Sequence, residues 1–137
     1  MSEEQNVAIA RRFFAEQDRG KGVLAEGLSD PGYMAYIPGF PPMDRAAHTD
    51  LGKAFYGAFS DLKQTIDDGF GNDDRAVLRF TITGTHDGEL MGMAPTGKPI
   101  SVSGLATFRI VGGKVRELHE VFDQMGMMQQ IGAIPAH

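Results

Sequence analysis

Apolar positions in the first part of the chain recur at helical spacing. Val7, Ala10 and Phe14, with Ala8 and Phe13 beside them, form one broad face, and Ser2 followed by Gln5 makes a capping box ahead of it. The pattern predicts a helix from about Glu3 to Arg19, ended by Gly20 and Gly22. A short helix is expected over Val23 to Leu28, stopped by Asp30 and Pro31. Tyr33 to Ile37 reads as a brief strand, and the run Pro38, Gly39, Phe40, Pro41, Pro42 as a loop. Asp44 is a good N-cap for a second long helix reaching about Ser60, with Leu51, Ala54, Phe55, Ala58 and Phe59 as its buried stripe.

After Ser60 the period changes to two. Leu62 to Asp68 is an expected strand, and the run from Gly69 to Asp73 breaks or bends the chain. From Arg75 to His86, the residues Ala76, Leu78, Phe80, Ile82, Gly84 and His86 share one face. From Ile100 to Ile110, Val102, Gly104, Ala106 and Phe108 do the same. Gly112 and Gly113 have the composition of a tight hairpin turn. A last strand runs from Lys114 to Asp123, and Met125 to Ile131 closes with one helical turn. Helices first and a run of antiparallel strands afterwards predict an α+β fold. In it, N-terminal helices pack on one face of a curved antiparallel sheet, as a cone around a pocket. No internal repeat is visible, so residues 1–137 are read as a single domain.

Composition narrows the function. The net charge of −5 and scattered Lys and Arg argue against a nucleic-acid binder. Without cysteine there is no disulfide, thiolate metal site or cysteine nucleophile. The polar start Met1, Ser2, Glu3, Glu4 is unlike a signal peptide, and no apolar run approaches the roughly 20 residues of a membrane span. A cytoplasmic protein that meets an apolar small molecule, without membrane or nucleic-acid partner, is the expectation.

Two residues stand out chemically. Asp123 shares strand parity with Val115, His119 and Val121, a face at least half apolar, where burial would raise its pKa and suit it to general base work. It is equally placed to cap a turn over Gln124, Met125 and Gly126, and both readings stay open. His86 continues the face of Leu78, Phe80 and Ile82, where it would donate to a developing enolate oxygen or be satisfied at a strand end. Other patterns fall away. Gly92 to Lys98 copies phosphate-loop spacing, but Pro99 stands where Ser or Thr is required and a strand follows. Asp67, Asp68, Asn72, Asp73 and Asp74 lack the spacing and final Glu of a calcium loop. The histidines lack paired metal-ligand spacing.

Several spaced segments resemble one family. Arg79 to Gly92 with Pro95 to Lys98 is similar to the central strand and loop of SnoaL-like polyketide cyclases, of the nuclear transport factor 2-like fold. Gly112 to Val115, Glu117 to Asp123 and Gln130 to Gly132 resemble their C-terminal strand and tail, and Ala58 to Leu62 their entry into the sheet. The resemblance implies cofactor-free intramolecular aldol chemistry and a homodimer through the outer sheet face. It makes Asp123 the general acid/base and His86 a pocket residue at the enolate. Tyr36, His119, Phe14, Phe55, Arg79 and Met91 would then form the substrate-binding wall. The chain departs from the pattern at His119, where an aromatic, commonly Trp, is usual. It departs again at Ala35, Tyr36 and Ile37, where a histidine is often seen. Epoxide hydrolases of this fold carry Asp two residues from an Arg; here Thr81 follows Arg79. The alternative to an enzyme is a small-molecule-binding or dimerising module of the same fold.

Overall fold

The computed structural model describes residues 2–135; Met1, Ala136 and His137 lie outside it. Helix α1 (Glu3–Arg19) starts at the expected capping box, in which the Gln5 N–H donates to Ser2 Oγ at 3.1 Å and the Ser2 N–H to Gln5 Oε1 at 2.9 Å. Its inward face carries Asn6, Ala10, Phe13, Phe14 and Gln17. The expected second helix is only a 3₁₀ turn (Glu26–Leu28), after which the chain enters β1 (Ser29–Tyr36). Helix α2 (Arg45–Ala58) is capped by Asp44, whose Oδ1 accepts from the Ala47 N–H at 2.9 Å. Of the expected stripe, Ala58 and Phe59 are buried and Leu51 and Phe55 pack against the core, whereas Ala54 is exposed; His48, Gly52 and Tyr56 also face inward.

Strands β2 (Lys63–Gly71), β3 (Arg75–Thr85), β4 (Pro99–Val111) and β5 (Lys114–Phe122) form an antiparallel meander, and α3 (Gln124–Gln130) closes the chain. Gly112 and Gly113 turn β4 into β5 with φ of 58° and 79°, the positive values a two-residue hairpin requires. The sheet order is β1-β5-β4-β3-β2. Strand β1 adds parallel to β5, so the five-stranded sheet is mixed rather than antiparallel throughout. Among the described residues no helix is long and apolar enough to cross a membrane.

The core lies between α1 and the concave sheet face. Phe14 meets Phe80 and Phe108 edge-on, with ring centroids 5.0 and 5.2 Å away, and Phe13 lies against Tyr33 and Phe108. Asn6 ties α1 to the β2–β3 turn by donating to the Asn72 and Asp73 carbonyls at 2.8 and 3.1 Å.

Two strands carry register shifts. On β2 the extra residue is Asp67, between the pairs Ile66↔Phe80 and Asp68↔Arg79. On β5 it is Arg116, between Ile110↔Val115 and Arg109↔Glu117. From there the parity of β5 is reversed. Leu118 and Glu120 point inward with Val115, whereas His119 and Val121 point out.

Gly104 sits opposite both Phe80 and Phe122 on the buried face. A Cβ there would meet Phe80 Cζ at 2.6 Å and the Val121 carbonyl oxygen at 2.8 Å. Gly104→Ala is therefore expected to destabilise the protein by about 2 kcal/mol through overpacking. Urea unfolding checks it, and an unchanged midpoint would show that β4 has room to relax.

Candidate active site

Between α1, α2 and the sheet lies a mostly apolar cavity, walled by Ile37, Leu51, Phe55, Leu62, Ile82, Phe122 and Met127. Its cavity volume is about 60 Å³. One side is polar, made by Gln17, His48, Tyr56, Gln64 and Glu120. Residue by residue, this wall follows from the chain's periodicities. His48, Gly52 and Tyr56 are four apart on α2 and project together. Gln17 continues the inward face of Phe13 and Phe14 on α1. Glu120 stands between Leu118 and Phe122 on the inward face of β5.

Glu120 is 8% exposed and accepts no hydrogen bond from any described residue, yet its oxygens are not sealed from solvent. Burial pushes its carboxyl up to about 7, because an apolar wall disfavours the ionised form. His48 is 3% exposed, and burial lowers its pKa to about 4, so the imidazole is neutral near pH 7. Its Nδ1 lies 2.8 Å from the Tyr33 hydroxyl. Tyr33 is 1% exposed, with Phe13 stacked on its ring, and the hydroxyl has no other partner among the described residues. The hydroxyl proton therefore goes to Nδ1, which leaves the His48 proton on Nε2. That Nε2–H has no partner among the described residues, and His48 lines the cavity. Burial, with the Glu120 charge second, raises the Tyr33 pKa well above its ordinary value, keeping it a donor.

At the far side of the wall, Tyr56 donates a short hydrogen bond to Asp18 Oδ1, and burial before the Asp18 bond raises the Tyr56 pKa. Gln64 donates to Asp18 through both its backbone N–H (3.0 Å, to Oδ2) and its Nε2 (3.2 Å, to Oδ1). The cavity thus offers one weakly acidic carboxyl and a neutral imidazole N–H in a desolvated setting. That pairing suits removal of a proton beside a carbonyl and stabilisation of the oxygen that gains charge.

The residues singled out from sequence are distributed differently. Asp123 is exposed and caps α3, its Oδ1 accepting from the Gly126 N–H at 2.8 Å, and it is not part of the cavity lining. The reversal at Arg116 is the reason: parity counted from Val115 sends Asp123 inward, whereas the bulged strand sends it out. His86 is fully buried but outside the lining. Its Nδ1 accepts from the Thr96 N–H at 3.3 Å with Thr96 Oγ1 at 3.0 Å, its Nε2 has no partner, and Phe59 lies against its ring. It pins the loop after β3 instead of serving the cavity. His119 stacks on Tyr36 at 4.6 Å between ring centroids, in a groove on the outer sheet face. Phe14 belongs to the core, Arg79 is exposed and 3.9 Å from Asp67, and Met91 is exposed in a loop at φ 48°. Phe55 alone of the expected wall lines the cavity, edge-on to Phe122.

Sequence reasoning missed Glu120, His48, Tyr33, Gln17 and the Asp18 cluster. Two signals were available. Parity anchored on Leu118 and Phe122 brings Glu120 inward, and four-residue spacing joins His48 to Tyr56.

Glu120 also sets a pH signature on stability. Its folded pKa is raised, so the protonated form favours folding, and that contribution is lost as pH rises from about 4.5 through about 7. The loss is roughly 3 kcal/mol. Glu120→Gln is expected to exceed the wild type in stability by a margin that grows over this range and levels off above it. Urea unfolding at pH 5, 6 and 8 checks this; a margin independent of pH would mean that the carboxyl is well solvated.

The family model described as SnoaL-like polyketide cyclase matches residues 8–131. Among curated proteins no sequence matches this chain. The fold is similar to that of AclR from Streptomyces galilaeus, for which hydroxylase activity has been suggested. The two are 27% identical with a TM-score of 0.88, over 99% of this chain and 86% of that one. IdmH from Streptomyces antibioticus, a suggested polyketide cyclase, is similar in fold at 24% identity and a TM-score of 0.83, covering 93% of this chain and 99% of its own. TsrD from Streptomyces laurentii shares the fold at 22% identity and a TM-score of 0.83, over 98% of this chain and 99% of its own.

Proposed function

Because the chain belongs to the SnoaL-like polyketide cyclase family, we propose that it is an acid/base catalyst needing only its side chains, acting on an apolar carbonyl compound through an enolate. One observation carries this reading: a carboxyl with no partner among the described residues lines an apolar cavity, pushed by burial up to about 7, with a neutral imidazole on the same wall. An unpaired buried carboxyl costs stability and gives the fold no bond in return, which supports a chemical role.

Glu120, ionised, takes the proton from the carbon beside the substrate carbonyl. The electron pair moves onto the carbonyl oxygen, where the His48 Nε2–H donates to it. A neutral imidazole of low pKa holds an enolate without giving up its proton. In an aldol cyclisation the enolate carbon then attacks a second carbonyl of the same molecule. A new carbon–carbon bond forms, and the resulting alkoxide takes back the proton from Glu120. In an isomerisation the proton returns to a different carbon. Both leave the enzyme unchanged. The apolar wall excludes water, which strengthens the donor and keeps the base poised.

Proton abstraction can be followed without the native substrate, as deuterium exchange beside the carbonyl of small cyclic ketones in D₂O. Glu120→Gln is expected to lower this exchange by about 10²–10⁴-fold. The wild-type rate should rise with pH and level off above about 7. Asp123→Asn is expected to stay close to wild type, because Asn caps a helix as well as Asp. Undiminished exchange in Glu120→Gln would instead favour the binding-module reading.

The exposed Leu105 and Val121, near the Tyr36–His119 stack, support a homodimer through the outer sheet face. Light scattering should then give twice the 14.8 kDa of the chain; a clean monomer would refute it.

A further inference from the structure

The hydrogen-bond directions around Asp18 have a consequence for substrate choice. A carboxylate only accepts, so each neighbour within reach must present a donor. Tyr56 gives Asp18 its hydroxyl proton, and Gln64 gives both its backbone N–H and its Nε2. This fixes the Gln64 amide: the atom facing Asp18 is the nitrogen. The same Nε2 lies 3.0 Å from Gln17 and 3.2 Å from the Tyr56 oxygen. The Gln17 atom it meets must therefore be the oxygen, and the Gln17 amide nitrogen occupies the other branch.

That nitrogen makes no hydrogen bond to any described residue, and it is not sealed from solvent, although Gln17 is only 6% exposed. Gln17 lines the cavity. The fold leaves there an N–H₂ group that a part-buried network holds in orientation and that no other described residue uses. His48 Nε2–H is the second such donor and Glu120 the free acceptor on the same wall.

We propose that Gln17 is a specificity-determining residue that donates to a second oxygen of the substrate, distinct from the oxygen held by His48. The inference rests on the cavity being the substrate site, as argued above. The ligand it selects is an apolar compound with two carbonyl oxygens, and a compound with one leaves the Gln17 amide without a partner. A site built to satisfy a polar group of its ligand rejects the analogue lacking it, because its own desolvated donor is then stranded.

The test compares 2,2-dimethylcyclohexane-1,3-dione with 2,2-dimethylcyclohexanone by NMR titration. The dione has no proton between its carbonyls, so it stays neutral and reads hydrogen bonding instead of acidity. The wild type is expected to bind the dione about tenfold more tightly than the monoketone. Gln17→Met should erase that preference. The dione should also shift the Gln17 side-chain N–H₂ signals of the wild type, a readout that needs no variant to fold. Equal binding of both ketones, no binding of the dione, a preference that survives in Gln17→Met, or unmoved Gln17 signals would overturn the proposal. Glu120→Gln separates the two ideas. If it keeps both the dione preference and full proton exchange, acid/base catalysis by Glu120 fails while the role of Gln17 stands.

Discussion

The single extra residue at Arg116 governs what the cavity contains. Strand β5 is flanked by β4 on one side and β1 on the other, and both pairings slip at this point. A β-strand offers alternate side chains to its two faces, so one inserted residue exchanges the faces for the remainder of the strand. Beyond it, Leu118, Glu120 and Phe122 turn toward the helices, while His119 and Val121 join the outer surface. Without the bulge, a histidine and a valine would face α2, and the carboxyl would be in water. The strand then ends at Asp123, free to cap α3, which in turn brings Met127 to the cavity.

Around this strand, charge and desolvation are balanced in two separate ways. Asp18 is surrounded by donors from α2 and β2, so its oxygens are satisfied and it locks the far side of the wall. Glu120 has no such partners, and its proton affinity rises instead. The first carboxyl organises the cavity and the second has no partner among the described residues. Tyr33 completes the arrangement by occupying Nδ1 of His48, itself a residue of the cavity lining.

The motif residues on which the family resemblance rests do structural work here. His86 accepts from the Thr96 backbone and packs on Phe59, holding the loop that links β3 to β4. Asp123 caps α3, and Gln130 bonds Ser101 through both its side-chain oxygen and its nitrogen, holding that helix against β4. His119 stacks on Tyr36 across the parallel β1–β5 pair, outside the cavity. A sequence signature can thus report a fold faithfully through residues that shape it, while other residues line the cavity.

Local physics made much of this protein legible from its residues. The capping box at Ser2 and Gln5, the Asp44 cap, the change of period after Ser60 and the glycine pair at 112 and 113 each act within a few positions. All four appear in the structure where the chain predicts them. The α+β class follows from the order of those elements, and the family from the spaced segments that resemble it. The site did not, because its chemistry depends on contacts between distant segments. Asp18 and Gln64 are 46 residues apart, and Tyr33 and His48 are 15 apart on different elements. Which face Glu120 takes was decided by a bulge that only pairing with two neighbouring strands creates, and alternation counted from Val115 assigns it to the opposite face.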